Sequence, residues 1–508
     1  MPEETAEPGA AAARDFAASF SKLLDWVSAT APAREERNPV AALVADHLGP
    51  QGAEHSVVTR DLPPFEHVNL QAAIDAWSAR PGRTVQVRGM TVPPHYGGLT
   101  LQNLVAEDGL PPVRLAAPAL IDLPSGPGVT LGCLRLALLL VSDDVGRYAV
   151  MIQAPSDHQA ELQLEVAGLP VERAQQVLAD LDRLRSELNV YRGHLLEVSL
   201  TPMGGVSLTF TPAAGLARDD VVLPAAILDR IERHALGVAS HRAALLQAGQ
   251  HLKRGLLLYG PPGTGKTHTT RYLLGRMDGY TRLVLTGRAL VAVGAVTDLA
   301  RALLPAVVVL EDVDLVAQDR SMGPGTSPVL FELLDAMDGA APDADLLFLL
   351  TTNRADLLET ALAARPGRVD VAVEIALPDG PARERLLALY GRNVPFALTP
   401  PDVATAVERT EGTTASFLKE VIRRAVLEAL HEQAPAGGAA LAEVSGDHLA
   451  RALDDLLDSA QEVTRTLLGV GVNPEDLPSG GMLDPVAMRN PGRVMMARQA
   501  MVVRRFRG

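Results

Sequence analysis

Residues 260–267 read Gly260-Pro261-Pro262-Gly263-Thr264-Gly265-Lys266-Thr267, directly after the apolar run Gly255-Leu256-Leu257-Leu258-Tyr259. A buried strand, a glycine-rich turn and a helix in that order confine this stretch to a phosphate-binding loop. Without a Cβ to block the approach, several backbone N–H groups can point at one phosphate. Lys266 then reaches the β- and γ-phosphates, and the Thr267 hydroxyl is a ligand for Mg2+. Composition argues the same way. The 46 basic residues include only four lysines (Lys22, Lys253, Lys266 and Lys419), so 42 are arginine. A chain so biased keeps lysine here, where a compact ammonium fits between phosphates and a planar guanidinium does not. With the adjoining His268, residues 260–268 are the expected nucleotide contacts, and the expected cofactors are ATP and Mg2+.

A length of 508 residues suggests about three domains. The hydrophobic fraction of 47% supports real cores, but aromatics are only 4%, so packing rests on Leu, Val and Ala. A net charge of −15 argues against whole-chain affinity for nucleic acid or an anionic membrane. The single cysteine, Cys133, excludes an intrachain disulfide and fits a reducing compartment. Residues 1–13 have neither a basic start nor an apolar stretch. The longest apolar run, residues 136–141, is far short of the roughly 20 residues that span a bilayer. A cytoplasmic protein without a membrane partner is expected.

Residues 1–13 are rich in Ala, Glu and Pro and read as a disordered N-terminus. Residues 14–215 read as an α+β N-terminal domain. Helical patterns fall at 15–28 and 39–47, and strand-like runs at 134–141, 148–154, 162–166, 194–200 and 206–210. Between them, Val171, Val177, Leu178, Leu181, Leu184 and Leu188 fall on one helix face. Its histidines are scattered, and no catalytic constellation is visible. From residue 218 strands alternate with helices, the pattern of a parallel sheet covered on both faces. Strands are expected at 255–259, 282–286, 306–310, 346–351 and 371–377, completing an α/β domain over 218–380. Residues 381–433 read as a helical lid, 440–470 as a further helix after a Pro/Gly/Ala linker, and 471–508 as an arginine-rich tail.

On an open parallel sheet, ligand chemistry gathers at the carboxyl ends of the strands. The third strand ends in Glu311-Asp312, where one carboxylate can serve Mg2+ and the other can polarise the attacking water. The fourth ends in Thr351-Thr352-Asn353, whose amide can orient that water. Beyond it lie Arg365-Pro366-Gly367-Arg368, two guanidiniums fixed by a Pro-Gly turn.

Over residues 218–433 these motifs, in this order, resemble the AAA+ ATPases and specifically their AAA subgroup. The run Ala361-Leu362-Ala363-Ala364-Arg365-Pro366-Gly367-Arg368-Val369-Asp370, ending in Leu377-Pro378-Asp379, carries the likeness beside the phosphate loop. The resemblance implies a P-loop three-layer α/β domain with a parallel sheet and a helical lid, assembled as a hexameric ring. It implies Glu311, Asp312, Asn353, Arg365 and Arg368 as catalytic residues, with Thr267 and Glu311 on Mg2+. Arg365 and Arg368 would reach the γ-phosphate bound by a neighbouring subunit, the plainer alternative being salt bridges within the lid.

Three departures stand out. The acidic pair is Glu-Asp where the family reads Asp-Glu, an order resembling the branch of the mitochondrial translocase of folded Rieske protein. Glu311 can still serve the metal, whereas the shorter Asp312 must sit closer to the water. Asp314 is a fallback base, or a solvated turn carboxylate. The segment Leu290-Val291-Ala292-Val293-Gly294 lacks the aromatic of many threading relatives, and Thr414-Ala415 stands where Gly-Ala is usual. The metalloprotease His-Glu-x-x-His pattern is also broken, because His431-Glu432-Gln433-Ala434-Pro435 has proline in place of the second ligand.

The expectation is an Mg-ATP-dependent, ring-shaped protein-remodelling ATPase whose N-terminal domain chooses a protein substrate or adaptor. The alternative is a nucleotide-switched scaffold with slow turnover. A nucleic-acid remodeller is supported only by the six arginines of the 489–508 tail.

Overall fold

The computed structural model describes residues 19, 21–22, 38–93, 98–106, 113–156, 160–201, 204–317, 328–339, 341, 343–354, 368–433 and 443–457. The N-terminal segment 1–13, Arg365 and the 471–508 tail lie outside the described residues. The chain divides into two compact units, residues 1–212 and 213–508.

The first unit contains α1 (Pro39–Ala53), β1 (Val58–Leu62), α2 (His67–Ser78), β2 (Thr84–Thr91), α3 (Leu101–Ala106), β3 (Arg114–Ala116), β4 (Leu120–Gly126), β5 (Val129–Leu134), β6 (Leu136–Asp143), β7 (Gly146–Gln153), β8 (Leu162–Ala167), α4 (Val171–Glu187), β9 (Leu195–Leu200) and β10 (Val206–Phe210). Six strands form an antiparallel sheet in the order β1-β8-β7-β6-β2-β3. Its central strands are apolar on both faces. Along β6, Ala137, Leu139 and Val141 join a core with Trp77 of α2 and Leu178 and Leu181 of α4. The intervening Leu138 and Leu140 join a second core with Val40 and Val44 of α1 and Leu101 and Leu104 of α3. Period-two alternation therefore feeds two helical layers at once, which is why β6 reads as an unbroken apolar run. Strands β4 and β5 form a separate hairpin, and β9 pairs antiparallel with β10. Cys133 is buried, and burial together with the charges of Asp75 and Asp122 pushes its thiol up to about 11, so the thiolate is scarce at neutral pH.

The second unit is built on α5 (Ala225–Ala235), β11 (Arg254–Tyr259), α6 (Lys266–Arg276), β12 (Thr281–Thr286), α7 (Val293–Ala302), β13 (Ala306–Glu311), α8 (Asp314–Ala317), α9 (Pro328–Asp338), β14 (Leu346–Thr352) and β15 (Val371–Glu374). These strands run parallel in the order β12-β13-β14-β11-β15. All of β14, and β13 up to Leu310, is buried, as a sheet covered on both faces requires. Register decides where the site forms. Tyr259 pairs with Thr352, Leu310 with Leu350 and Thr286 with Glu311, so the carboxyl ends of four strands finish nearly level. At the opposite end Arg254 donates to Asp345 at 2.9 Å, with the Tyr280 hydroxyl on the other carboxylate oxygen at 2.6 Å. The expected fifth strand, 371–377, is shorter than its apolar pattern and stops at Glu374.

The lid comprises α10 (Gly380–Tyr390), β16 (Phe396–Ala397), α11 (Pro400–Arg409), α12 (Ala415–Gln433), β17 (Val444–Ser445) and α13 (Gly446–Leu457). A boundary at residue 433 is too early. Val444, Leu449, Leu453 and Leu456 share one core with Phe417, Leu418 and Val421 of α12, and β17 pairs with β16. Helix α13, read from sequence as a separate element, completes the lid because α12 alone leaves an apolar stripe uncovered.

Candidate nucleotide-binding and hydrolysis site

The phosphate loop leaves β11 at Gly260, where a Cβ would come within 2.4 Å of the Ile375 carbonyl oxygen. Gly265 caps α6 at φ +107°, a conformation that side chains resist. The first N–H groups of a helix have no partner within it, and Gly265 offers no side-chain cap, so this terminus is a ready site for an anion. Lys266 is buried, and its ammonium donates to the carbonyls of Gly260 (2.8 Å) and Pro261 (2.9 Å). Burial pushes it down to about 8, against the opposing pull of Asp312 and Asp314. The Thr264 and Thr269 hydroxyls brace the loop through the carbonyls of Pro261 and Gly265. His268 donates from Nε2 to the Asp220 carbonyl at 3.0 Å.

The acidic pair lies where register puts it. Thr267 and Glu311, the two residues expected on Mg2+, are close enough for the Thr267 hydroxyl to act on the Glu311 carboxyl. Burial and the adjacent Asp312 charge raise the Glu311 carboxyl, with Arg271 and Thr267 opposing. Asp312 follows with φ +53°, the only left-handed non-glycine among the described residues. Asp and Asn occupy that region several-fold more readily than longer side chains, so the backbone itself favours the short acid second. Asn353 Nδ2 points at Asp312 Oδ1 from 3.4 Å.

Asp314 is neither a solvated turn carboxylate nor placed as a base. It is buried and accepts from the Thr352 hydroxyl (2.9 Å) and the Asn353 N–H (3.0 Å). The apparent turn is the start of α8, where the Asp314 side chain turns inward to the end of β14 and away from solvent.

Lys266, Thr267, His268, Asp312 and Asn353 line one cavity of about 690 Å3 with Tyr390, Arg392, Ser416 and Lys419 from the lid, whereas Glu311 and Asp314 are not part of its lining. The lid is hydrogen-bonded to the loop, since Ser416 N–H donates to the Gly263 carbonyl at 3.1 Å. A neighbouring cavity of about 410 Å3 shares Asp220, Gly265, His268, Tyr390 and Ala415, and adds Val221, Leu223, Ile227 and Leu377. Its apolar walls suit a purine beside the phosphate cradle. The segment 220–227 is the part of the site that sequence reasoning missed. Its one signal is position, a short stretch just ahead of the α/β alternation. The residues present therefore fit ATP with Mg2+: a helix terminus and ammonium for phosphates, a hydroxyl–carboxylate pair for the metal, an apolar slot for the base.

Arg368 is placed elsewhere. It lies beside Gly255, at the amino end of β11 and the far end of that strand from Gly260. It is buried and gives Asp338 two hydrogen bonds, at 3.1 and 2.8 Å. Its position excludes a role on a phosphate held by its own loop, and its guanidinium is engaged by its own chain.

A covered parallel sheet, a complete phosphate loop, paired carboxylates and an asparagine at one sheet edge, closed by a helical lid, define a P-loop nucleoside triphosphatase. Residues 256–377 match the profile of the ATPase family associated with various cellular activities (AAA). The second unit therefore carries an AAA ATPase domain, and its cofactors are ATP and Mg2+. Among similar proteins, the ATP-dependent zinc metalloprotease FtsH of Mycoplasmopsis synoviae (strain 53) is 34% identical over 200 residues, 37% of this chain and 30% of that protein. FtsH of Cutibacterium acnes (strain SK137) is 31% identical over 239 residues, 44% of this chain and 32% of that protein. FtsH 4 of Sphaerobacter thermophilus is 36% identical over 194 residues, 36% and 29% of the two chains. The chain thus spans about a third of the length of these curated relatives. Among the described residues, no group of three His, Cys, Asp or Glu side chains could hold a metal ion. Glu432 of the broken His-Glu pattern accepts from His448 and Arg451. No helix of the described residues is long and apolar enough to cross a membrane.

Proposed function

We propose that this chain is the motor subunit of a ring-forming machine, a hexamer by family analogy, that uses ATP to remodel a protein substrate in the cytoplasm. One observation carries the reading. The cavity holding Lys266, Asp312 and Asn353 is also lined by the lid, which is bonded to the phosphate loop through Ser416. A change in the cavity's contents therefore acts on lid angle, the motion that can drive neighbouring subunits.

Lys266 exchanges its carbonyl partners for phosphate oxygens, and the amino end of α6 adds its N–H groups. Mg2+ held beside Thr267 and Glu311 would supply positive charge to offset that of the phosphates. Glu311 and Thr267 hold the metal side, Asp312 takes the proton of the attacking water, and Asn353 orients it. Arg365 and Arg368 complete charge stabilisation on a neighbour's γ-phosphate, for which Arg368 must exchange Asp338 for phosphate. The N-terminal domain selects the substrate or adaptor. No membrane partner is invoked.

Substrate grip is proposed to be loose. Leu290 is 1% exposed and held in the fold, so it cannot replace a missing aromatic, and the exposed residue is Val291 at 50%. A valine offers little area to pack on successive units of an extended chain. A wide vestibule pushing on a folded partner suits this surface better than threading. The Glu-Asp order supports likeness to the Rieske-translocase branch for the ATPase module alone. The same short Asp312 favours a second reading, a nucleotide-switched scaffold with slow turnover.

ATP turnover with and without candidate substrates, alongside particle mass in ATP and ADP, tests the proposal. Substrate-stimulated turnover by a ring supports it. ATP-dependent assembly with negligible turnover favours the scaffold, and stimulation by nucleic acid alone overturns both.

A further inference from the structure

The exits of β13 and β14 are stitched together by reciprocal hydrogen bonds. From β14, the Thr351 hydroxyl accepts from Asp312 N–H and the Thr351 carbonyl from Val313 N–H, both at 3.0 Å. In the other direction one oxygen of Asp314, Oδ1, accepts from the Thr352 hydroxyl at 2.9 Å and from Asn353 N–H at 3.0 Å. The Thr352 oxygen then accepts from Arg354 N–H at 3.0 Å, closing the turn that carries Asn353. The first pair of bonds sets the left-handed backbone of Asp312, and the second sets the base of Asn353. What they leave facing each other is the Asn353 amide and the Asp312 carboxylate, 3.4 Å apart. That separation is aimed but not closed, as catalytic contacts often are before substrate binds.

Burying a carboxylate is unfavourable unless its oxygens are bonded. Asp314 spends Oδ1 on two bonds to the Asn353 turn, yet the side chain is absent from the lining of the nucleotide cavity. We propose that Asp314 is a positioning residue for ATP hydrolysis, fixing the turn after β14 and so aiming Asn353 at Asp312 and the water Asp312 activates. The Thr352 hydroxyl is its working partner, and Thr351 does the same service for Asp312. The inference rests on the roles proposed above for Asp312 and Asn353.

The test uses the full chain with Asp314→Ala, Thr352→Val and Thr352→Ser. Three quantities are read: affinity for a non-hydrolysable ATP analogue, kcat and KM, and amide exchange of peptides covering 351–354 and 260–267. Asp314→Ala is expected to lower kcat about tenfold or more while analogue affinity stays within about twofold. Exchange should quicken at 352–354 and not in the phosphate loop. Thr352→Val, which keeps the shape and loses the hydroxyl, should lower kcat in the same sense, and Thr352→Ser should restore it. Wild-type kcat in both Asp314→Ala and Thr352→Val overturns the inference, as does a loss of affinity in step with kcat. If Asp314→Ala does not fold, the Thr352 pair decides, and a serine variant as slow as the valine one also overturns it. A wild-type chain without ATP turnover refutes the site reading itself, a separate outcome.

Discussion

The two sheets of this protein are both buried by helices on both faces, yet only one gathers chemistry. In the N-terminal sheet every neighbour is antiparallel, so successive strand ends and their turns alternate between two edges. In the ATPase sheet the strands run one way and finish level, so the loops after β11, β13 and β14 meet at one edge. Topology, rather than any difference in burial, concentrates function in the second unit.

The sharpest way to break this comparison is to remove the cation at that edge. Lys266→Ala should weaken ATP binding by two to four orders, from two charge-assisted contacts at about 1.5–3 kcal/mol each. Isothermal titration reads it, and retained micromolar affinity would move the site elsewhere. Asp312→Asn comes next, with ATP still bound but turnover down about 10²–10⁴-fold. If Glu311→Gln gives the ATP-trapped state instead, the two acids exchange roles.

The N-terminal sheet offers the converse. Trp77 is fully buried, edge-on to Tyr148, with the Arg83 guanidinium 4.0 Å above its ring. Trp77→Ala should destabilise its unit by about 3–5 kcal/mol in a denaturant titration. ATP affinity measured under native conditions should not change, and a matching loss would show that the units share the site.

Smaller effects sharpen the picture. Lys266 in the free protein sits at about 8, lowered from the ordinary lysine value by burial. It is charged below that pH and neutral above it. ATP affinity should therefore be flat below about pH 7 and fall as pH rises past 8, by at most about tenfold per unit. A flat profile to pH 9.5 would contradict this. The smallest effect is Asp312→Glu, which puts a longer side chain at φ +53° and should cost about 1 kcal/mol of stability where Asp312→Asn costs almost none.

Much of the second unit was legible because each strand is a continuous apolar run bounded by chemistry: Leu256–Leu258 before the loop, Val307–Leu310 before Glu311, Leu346–Leu350 before Asn353. The N-terminal unit yielded strands β6 to β10 and helices α1 and α4, but not β1 to β5. Strand β1, Val-Thr-Arg-Asp-Leu, alternates in burial but puts Arg60 on its inner side, and hairpin β4–β5 is exposed or half-buried except at Cys133 and Leu134, so no apolar run marks either in the sequence. Arg368 shows the limit within the site. A Pro-Gly turn between arginines reads the same whether its guanidinium faces a neighbour or, as here, Asp338, thirty residues away in sequence.

By itself the sequence determined the phosphate loop, the order of strands and helices, and the residue types at each strand end. Local spacing suffices for these, since a P-loop is specified by contiguous residues. Only the tertiary structure decided the rest: that Asp312 takes a left-handed backbone suited to a short acid, that Asp314 is buried under Asn353, that α13 belongs to the lid, and that Leu290 faces inward. Each depends on register or packing between segments distant in sequence, where side-chain type fixes what a residue can do and not which neighbour it meets.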